Sequence, residues 1–230
     1  MKRTLLVGVI MVCLLVLGHG QPVALNKERG ESSLHEKPVT AESLLASGIR
    51  YHDIAARGKS LEYITRAEEC LSRVLAIAPA NTVAMVYFGS LQTIIARDRA
   101  PMWKKLTYMK KGFRHMDRAV ELDPDSPHVR LVRAINSATV PKMFKRRHLV
   151  EEDFKHIDEL TGRKDFSATK DFWQSYLYHY GLFLESCGES SEARLKYERA
   201  IELDSHSDCA TKARQRLERG KVANEYPDEY

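Results

Sequence analysis

The spacing of small and bulky residues between residues 177 and 205 limits the possible folds of this chain more than any other feature. Gly181 and Ala193 are small where two antiparallel helices would touch, and Tyr197 lies four residues after Ala193 on the same helix face. The residues that carry the pattern are Leu177, Tyr180, Gly181, Leu184, Ala193, Tyr197 and Ala200. The pattern predicts a helical hairpin that stacks on neighbouring hairpins, and it predicts no chemistry.

Two earlier segments end in a similar way. The sequences AIAP at 76–79 and VELDP at 120–124 resemble IELDS at 201–205, and each stands at the end of the second helix of a pair. Proline closes the first two, because it cannot continue a helix. Upstream of these ends, Gly89 and Gly112 again place glycine where a helix would meet its partner.

These residues resemble the tetratricopeptide repeat (TPR), and the resemblance covers most of residues 38–219. It implies an all-α, TPR-like α-solenoid in which the first helix of each pair lines a groove that holds a partner's peptide or helix. Gly89 and Gly112 lie farther apart than the repeat allows, and the first pair is also stretched. We therefore expect a compact variant with long or inserted helices.

Apolar periodicity predicts about four helix pairs, nine or ten helices in total, and no strands. Pro141 is expected to separate the two helices of the third pair. The expected helices before the last repeat span 40–56, 60–78, 82–96, 109–122, 127–139 and 142–160, with an additional helix at 166–173 and a closing helix at 207–219.

The N-terminal residues have the features of an export signal. Lys2 and Arg3 precede an apolar run at 5–17, and the small residues at 18–20 suit a cleavage site. We expect residues 1–20 to be a signal peptide, 21–37 a flexible linker, 38–219 the helical domain and 220–230 a loose tail. The protein is then exported to the periplasm or the exterior and has no membrane span after cleavage; an uncleaved anchor is the alternative.

Charge and cysteine content exclude some classes of function. Removing Lys2 and Arg3 lowers the formal charge from +5 to +3, an excess too small to indicate nucleic-acid binding. Cys70, Cys187 and Cys209 then remain, an odd and sparse set that does not form a disulfide framework. We expect them to be small buried residues.

The third helix pair carries the charged residues that packing explains least. Arg130, Arg133 and Asn136 follow one another at intervals of three, which places them on one helix face. One hypothesis is a site for an anion or an acidic partner, because guanidinium groups bind carboxylates and phosphates bidentately. The alternative is that the arginines pair with internal acids such as Asp117, Glu121 or Asp153. The candidate partner-binding residues are Arg130, Arg133, Asn136 and the basic run of Lys145, Arg146 and Arg147, which we expect on the surface.

Mainly apolar residues occupy the expected groove positions. Such a groove would suit an apolar peptide or an amphipathic helix, whereas a carboxylate clamp would need lysines and asparagines there. The alternative is that the same residues are core. The groove candidates are Leu45, Ile49, Val86, Ser90, Leu131, Ile135, Tyr178 and Leu182.

Residues 96–106 are expected to form a loop that contains Trp103. A tryptophan in a loop is a candidate contact residue for a partner, and the alternative is that it anchors the loop on the core. His148, Glu152 and His156 are spaced by four, but they do not form an HExxH motif, so we expect a surface stripe and no metal site.

The sequence contains no GxSxG motif and no phosphate-binding loop. These observations favour a non-enzymatic module of the cell envelope that needs no cofactor and binds or scaffolds a protein or peptide. The competing hypothesis is a small-ligand or anion binder, or an enzyme, that uses the face of Arg130, Arg133 and Asn136.

Overall fold

The computed structural model describes residues 40–58, 60–163 and 166–225; the side chains of 221–225 are outside that description. The expected signal peptide, the linker and the domain start at Pro38 therefore lie outside the described residues. Within the described ranges every regular element is helical. The elements are α1 (Ala41–Arg57), α2 (Leu61–Ile77), α3 (Thr82–Asp98), α4 (Met102–Leu122), α5 (Pro127–Thr139), the 3₁₀ helix η1 (Lys142–Phe144), α6 (Arg147–Thr161), α7 (Lys170–Ser186), α8 (Ser190–Leu203) and α9 (Asp208–Glu225).

Consecutive helices pack as four pairs: α1 with α2, α3 with α4, α5 with α6, and α7 with α8. The first helices also contact one another in order, α1 with α3, α3 with α5, and α5 with α7. Helix α9 closes the stack against α7 and α8. This arrangement confirms the predicted all-α fold of stacked helix pairs. Among the described helices none is long and apolar enough to span a membrane.

Side-chain caps fix where several of the first helices begin. The side chains of Thr40, Asn81, Ser126 and Thr169 each accept a hydrogen bond from a backbone N–H in the first turn of α1, α3, α5 and α7. Pro127 then occupies the first turn of α5, where its missing N–H costs no helical bond.

Glycine sets the closest helix contacts. A Cβ atom on Gly112 of α4 would lie 2.5 Å from the carbonyl oxygen of Gly89 in α3. A Cβ atom on Gly181 of α7 would lie 2.6 Å from Cε1 of Tyr197 in α8. Both pairs of helices therefore approach closely enough that a side chain at the glycine has no room.

Two large apolar clusters meet at α5. The first joins α1–α4 and includes Val129 of α5, and the second joins α5–α8 and includes Leu131 and Ala134 of the same helix. Because its neighbouring residues belong to different clusters, α5 connects the two halves of the stack.

Four predicted boundaries differ from those of the structure. The loop expected at 96–106 is mostly helical, because α3 runs to Asp98 and Pro101 takes the N-cap position of α4. The helix expected at 142–160 is divided, because Lys145 adopts a left-handed conformation (φ 53°) between η1 and α6. The separate helix expected at 166–173 is absent from the described residues there, since Phe172 and Trp173 belong to the first turn of α7. Helix α9 also continues to Glu225, past the expected start of the tail at residue 220.

Candidate functional site

Two buried arginines of α5 converge on one buried carboxylate of α6. Arg130 and Arg133 are 6% and 5% exposed, and Asp153 is fully buried. Arg133 donates from Nε to Asp153 Oδ2 at 2.8 Å and from Nη2 to Oδ1 at 2.7 Å, while Arg130 Nη1 donates to Oδ1 at 2.9 Å. Both oxygens of Asp153 are therefore occupied by guanidinium donors.

Further groups extend this network to α4 and to the turn before α6. Glu152 Oε1 accepts from Arg133 Nη2 at 3.2 Å. Arg146 makes a two-pronged contact with Asp117 at 2.6 and 3.0 Å, and its Nε donates to Ser137 Oγ at 3.1 Å. The Arg146 guanidinium also lies over the ring of Phe113, 4.3 Å from its centroid.

The network consists of charges that depend on one another. Burial works against the charged form of Arg133, but the hydrogen bonds and charge of Asp153 outweigh it and raise the pKa of this guanidinium. Removing one partner would leave an uncompensated buried ion, which is strongly destabilising. The structure thus shows the arrangement in which the arginines pair with internal acids, here Asp153, Glu152 and Asp117. Recognition of an external anion by these residues stays a prediction.

Asn136 belongs to a second polar chain, which links α5 to α3 and α1. Its Nδ2 donates to Ser90 Oγ at 3.2 Å and to Thr93 Oγ1 at 2.7 Å. Ser90 Oγ lies 2.9 Å from His52 Nε2, and His52 Nδ1 lies 3.1 Å from Asp53 Oδ1. Asn136 Oδ1 is buried and has no hydrogen-bond partner among the described residues.

The contacts run from Asp53 to His52 to Ser90, as in the acid–histidine–serine triad of a hydrolase. The surroundings of Ser90, however, do not suit acyl transfer. Ser90 is 6% exposed and lies in the middle of α3, where the backbone N–H groups are engaged in the helix. A tetrahedral intermediate needs free N–H donors near the nucleophile, and such donors are available at a helix start rather than in its middle. We interpret this chain of polar side chains as a structural link between the first helices α1, α3 and α5.

The predicted groove residues divide into two groups. Val86, Ser90, Leu131 and Tyr178 are buried, so at these positions the alternative that they are core holds. Tyr178 packs in a cluster with Ala213 of α9, which explains its burial. Leu45, Ile49, Ile135 and Leu182 are partly buried against the same clusters and keep part of their surface accessible.

The other candidate residues lie in different places. Trp103 is 79% exposed in the first turn of α4, so the alternative that it anchors a loop on the core is wrong.

Arg146 is 8% exposed, so the expectation of a continuous surface run at 145–147 is also wrong. Lys145 and Arg147 are exposed, and Arg147 Nη2 donates to Cys187 Sγ at 2.8 Å. Cys70, Cys187 and Cys209 are free and only partly buried, whereas we expected buried residues.

The histidine stripe of α6 is divided among separate partners. His148 contacts the Lys145 carbonyl oxygen at 3.0 Å, and His156 contacts Asp125 at 3.0 Å, whereas Glu152 faces the arginines of α5. No cluster in the described part of the chain has the composition of a metal site.

Sequence reasoning missed His52, Asp53 and Thr93. Thr93 could have been found from the sequence, because the polar side chains of Ser90, Gln92 and Thr93 interrupt an otherwise apolar helix. All three of those residues are buried, and a buried polar group needs a partner.

The fold is similar to that of a thermophilic TPR protein from Thermus thermophilus. The solved structure of that protein superposes with a TM-score of 0.58 at 17% sequence identity, over 79% of this chain and 84% of the other. No protein-family model matches the sequence. A search of curated proteins likewise yields no match. At this identity the likeness establishes the TPR-like helical-repeat fold.

Proposed function

We propose that this protein is a non-enzymatic module that binds or scaffolds a protein or peptide at the bacterial cell envelope. The observation that carries the proposal is the packing of the first helices side by side, with Ile49 of α1, Ile135 of α5 and Leu182 of α7 partly exposed. Partly exposed apolar residues at helical spacing suit an apolar stretch or an amphipathic helix.

The polar residues of α5 support the same proposal, because their donors are bound to other side chains of the protein. Arg130 and Arg133 direct their donors to Asp153, and Asn136 directs its amide donors to Ser90 and Thr93. These contacts disfavour the competing hypothesis of an anion site, because an incoming anion would have to displace a buried carboxylate. The envelope location is proposed from the N-terminal sequence pattern.

Photo-crosslinking in the producing cells tests the proposal. A photoreactive phenylalanine analogue is placed at Ile49, Ile135 or Leu182, and control positions are Thr65, Arg118 and Leu195, which are exposed on second helices. We expect one adduct of the same mass from the three first-helix positions in the envelope fraction, and none from the controls. Equal labelling from both sets, or labelling confined to the controls, contradicts the proposal.

A further inference from the structure

The start of α4 exposes an unusual amount of apolar surface. Trp103, Met102 and Met143 are 79%, 78% and 78% exposed, the highest values among the large apolar residues that the structure describes, and Leu106 is 50% exposed. Met102, Trp103 and Leu106 lie in the first turns of α4, and Met143 lies in η1. We call Met102, Trp103 and Leu106 the α4 ridge.

Met102 and Leu106 form the uncovered end of an apolar stripe along α4. Met102, Leu106 and Phe113 lie on one side of the helix, at intervals of four and seven residues. Phe113 is covered by the ring of Phe144, at a centroid distance of 5.3 Å, and by the Arg146 guanidinium. Thus η1 covers one end of the stripe, and Met102 and Leu106 extend beyond it in solvent.

The segment that carries the ridge is rich in cations. From residue 99 to 116 the chain contains no aspartate or glutamate. Lys110 and Arg114 line a surface hollow with Phe113, and Lys145 beside η1 is exposed. The cations of the 99–116 segment are Arg99, Lys104, Lys105, Lys110, Lys111 and Arg114.

The first turn of α4 is also poorly arranged for a helix that stands in water. Pro101 at the N-cap makes no side-chain capping bond, and the first turn contains no acidic residue. Lys104 and Lys105 instead place positive charge near the positive end of the helix dipole. A surface that is apolar and carries negative charge would cover the exposed apolar side chains and balance the positive charge at the start of α4.

We propose that the α4 ridge docks the protein on an anionic phospholipid surface. Met102, Trp103 and Leu106 enter the boundary between headgroups and acyl chains, while Lys104, Lys110 and Lys111 contact lipid phosphates. A lipid surface fits better than an acidic protein, because the apolar side chains project outward at a helix end rather than lining a cleft. Tryptophan also favours the membrane interface, and long lysine side chains reach from it to the headgroups. This proposal does not depend on the proposed function of the first helices.

Tryptophan fluorescence of the full chain tests the proposal locally. The chain has two tryptophans, Trp103 and Trp173, and residues 1–20 contain neither, so the difference between the parent spectrum and that of Trp103→Phe reports on the ridge. The probes are phosphatidylcholine vesicles, vesicles of phosphatidylcholine and phosphatidylglycerol in equal parts, and lipid-free polyglutamate. We expect the Trp103 emission to shift to the blue with the mixed vesicles alone, and the shift to weaken as salt is added.

Two charge variants decide whether the ridge is responsible. Replacing Lys104, Lys110 and Lys111 by Gln should weaken the vesicle affinity read from the Trp103 shift on the order of a hundredfold, from about 1 kcal/mol per lysine. Replacing Arg194, Arg199 and Lys212 by Gln removes the same charge from α8 and α9 and should leave the affinity unchanged. The proposal is overturned by an absent shift on the mixed vesicles, by equal losses in both variants, or by an equal shift with polyglutamate, which would indicate an acidic protein partner.

Discussion

At the residue scale, some side chains were identifiable from spacing because their role depends on one helix face. Gly181 is an example, since its position relative to Ala193 and Tyr197 follows from helical periodicity, and the structure places it against the Tyr197 ring. The pairing of Arg133 with an acid was also foreseeable, because a charge among Val129, Val132 and Ile135 needs a partner. The choice of Asp153 over Glu121 was not, since it depends on how α4, α5 and α6 are arranged in space.

We predict that Gly181→Leu lowers the free energy of unfolding by about 1–3 kcal/mol or more, because it overpacks the contact between α7 and α8. Tyr197 cannot move aside easily, since its hydroxyl donates to Glu185 Oε2 at 2.6 Å. Thermal melts measure the effect, with Gly220→Leu as control, because a Cβ at Gly220 meets no atom within 4 Å. Equal melting temperatures for the two variants would mean that α7 and α8 do not meet at Gly181.

Arg133→Ala should lower the free energy of unfolding by about 3 kcal/mol, because it leaves the buried Asp153 short of a partner. Arg118→Ala is the matched control: Arg118 forms an exposed pair with Glu121 at 3.0 Å, and such pairs contribute about 0.5 kcal/mol or less. Chemical denaturation of both variants measures the difference. A stable Arg133→Ala protein that no longer gives the crosslinked adduct would instead assign Arg133 to partner binding.

At the scale of elements, periodicity located the helices better than their ends. The apolar stripes of α2 and α5 were foreseeable because they follow the helical period. Pro79 after α2 and Ser126 before α5 also mark one end of each helix. The start of α4 was missed because Pro101 supplies no capping side chain and because Arg99, Lys104 and Lys105 interrupt the apolar residues there. The break before α6 was missed because a left-handed lysine has no distinct sequence signal.

The turn between η1 and α6 gives a prediction that separates neighbouring cations. Arg146→Ala should cost about 2 kcal/mol, because it removes charged hydrogen bonds to Asp117 and leaves a cavity beside Phe113. Lys145→Ala and Arg147→Ala should each change stability by about 0.5 kcal/mol or less, since both side chains are exposed. Denaturant midpoints compare the three variants. Equal effects would contradict the buried position of Arg146.

At the scale of the whole molecule, partly buried histidines in both halves make stability depend on pH. Burial lowers the pKa of His115 in α4, of His128 in α5 and, to about 4, of His179 in α7, where Lys212 of α9 acts in the same direction. Between this value and the usual 6.5, the unfolded chain binds more protons than the folded one. The histidine contribution to stability is therefore complete above pH 6.5 and is lost as the pH falls towards 4.

We expect the free energy of unfolding to decrease from pH 7 to pH 4.5, with His179 accounting for on the order of 3 kcal/mol at most. His179→Gln should reduce this pH dependence. Denaturation curves at the two pH values test this. An unchanged difference in His179→Gln would show that His179 titrates freely in the folded state.

The sequence by itself determined the helical class, the pairing of successive helices and the glycine contacts, because these follow from periodicity along a single chain segment. The tertiary structure alone decided which charges and groove positions are buried. Arg146 and Lys145 are neighbours of the same type in sequence, yet one contacts Asp117 and Phe113 inside the fold and the other faces solvent. Burial depends on several helices at once, so a one-dimensional pattern cannot specify it.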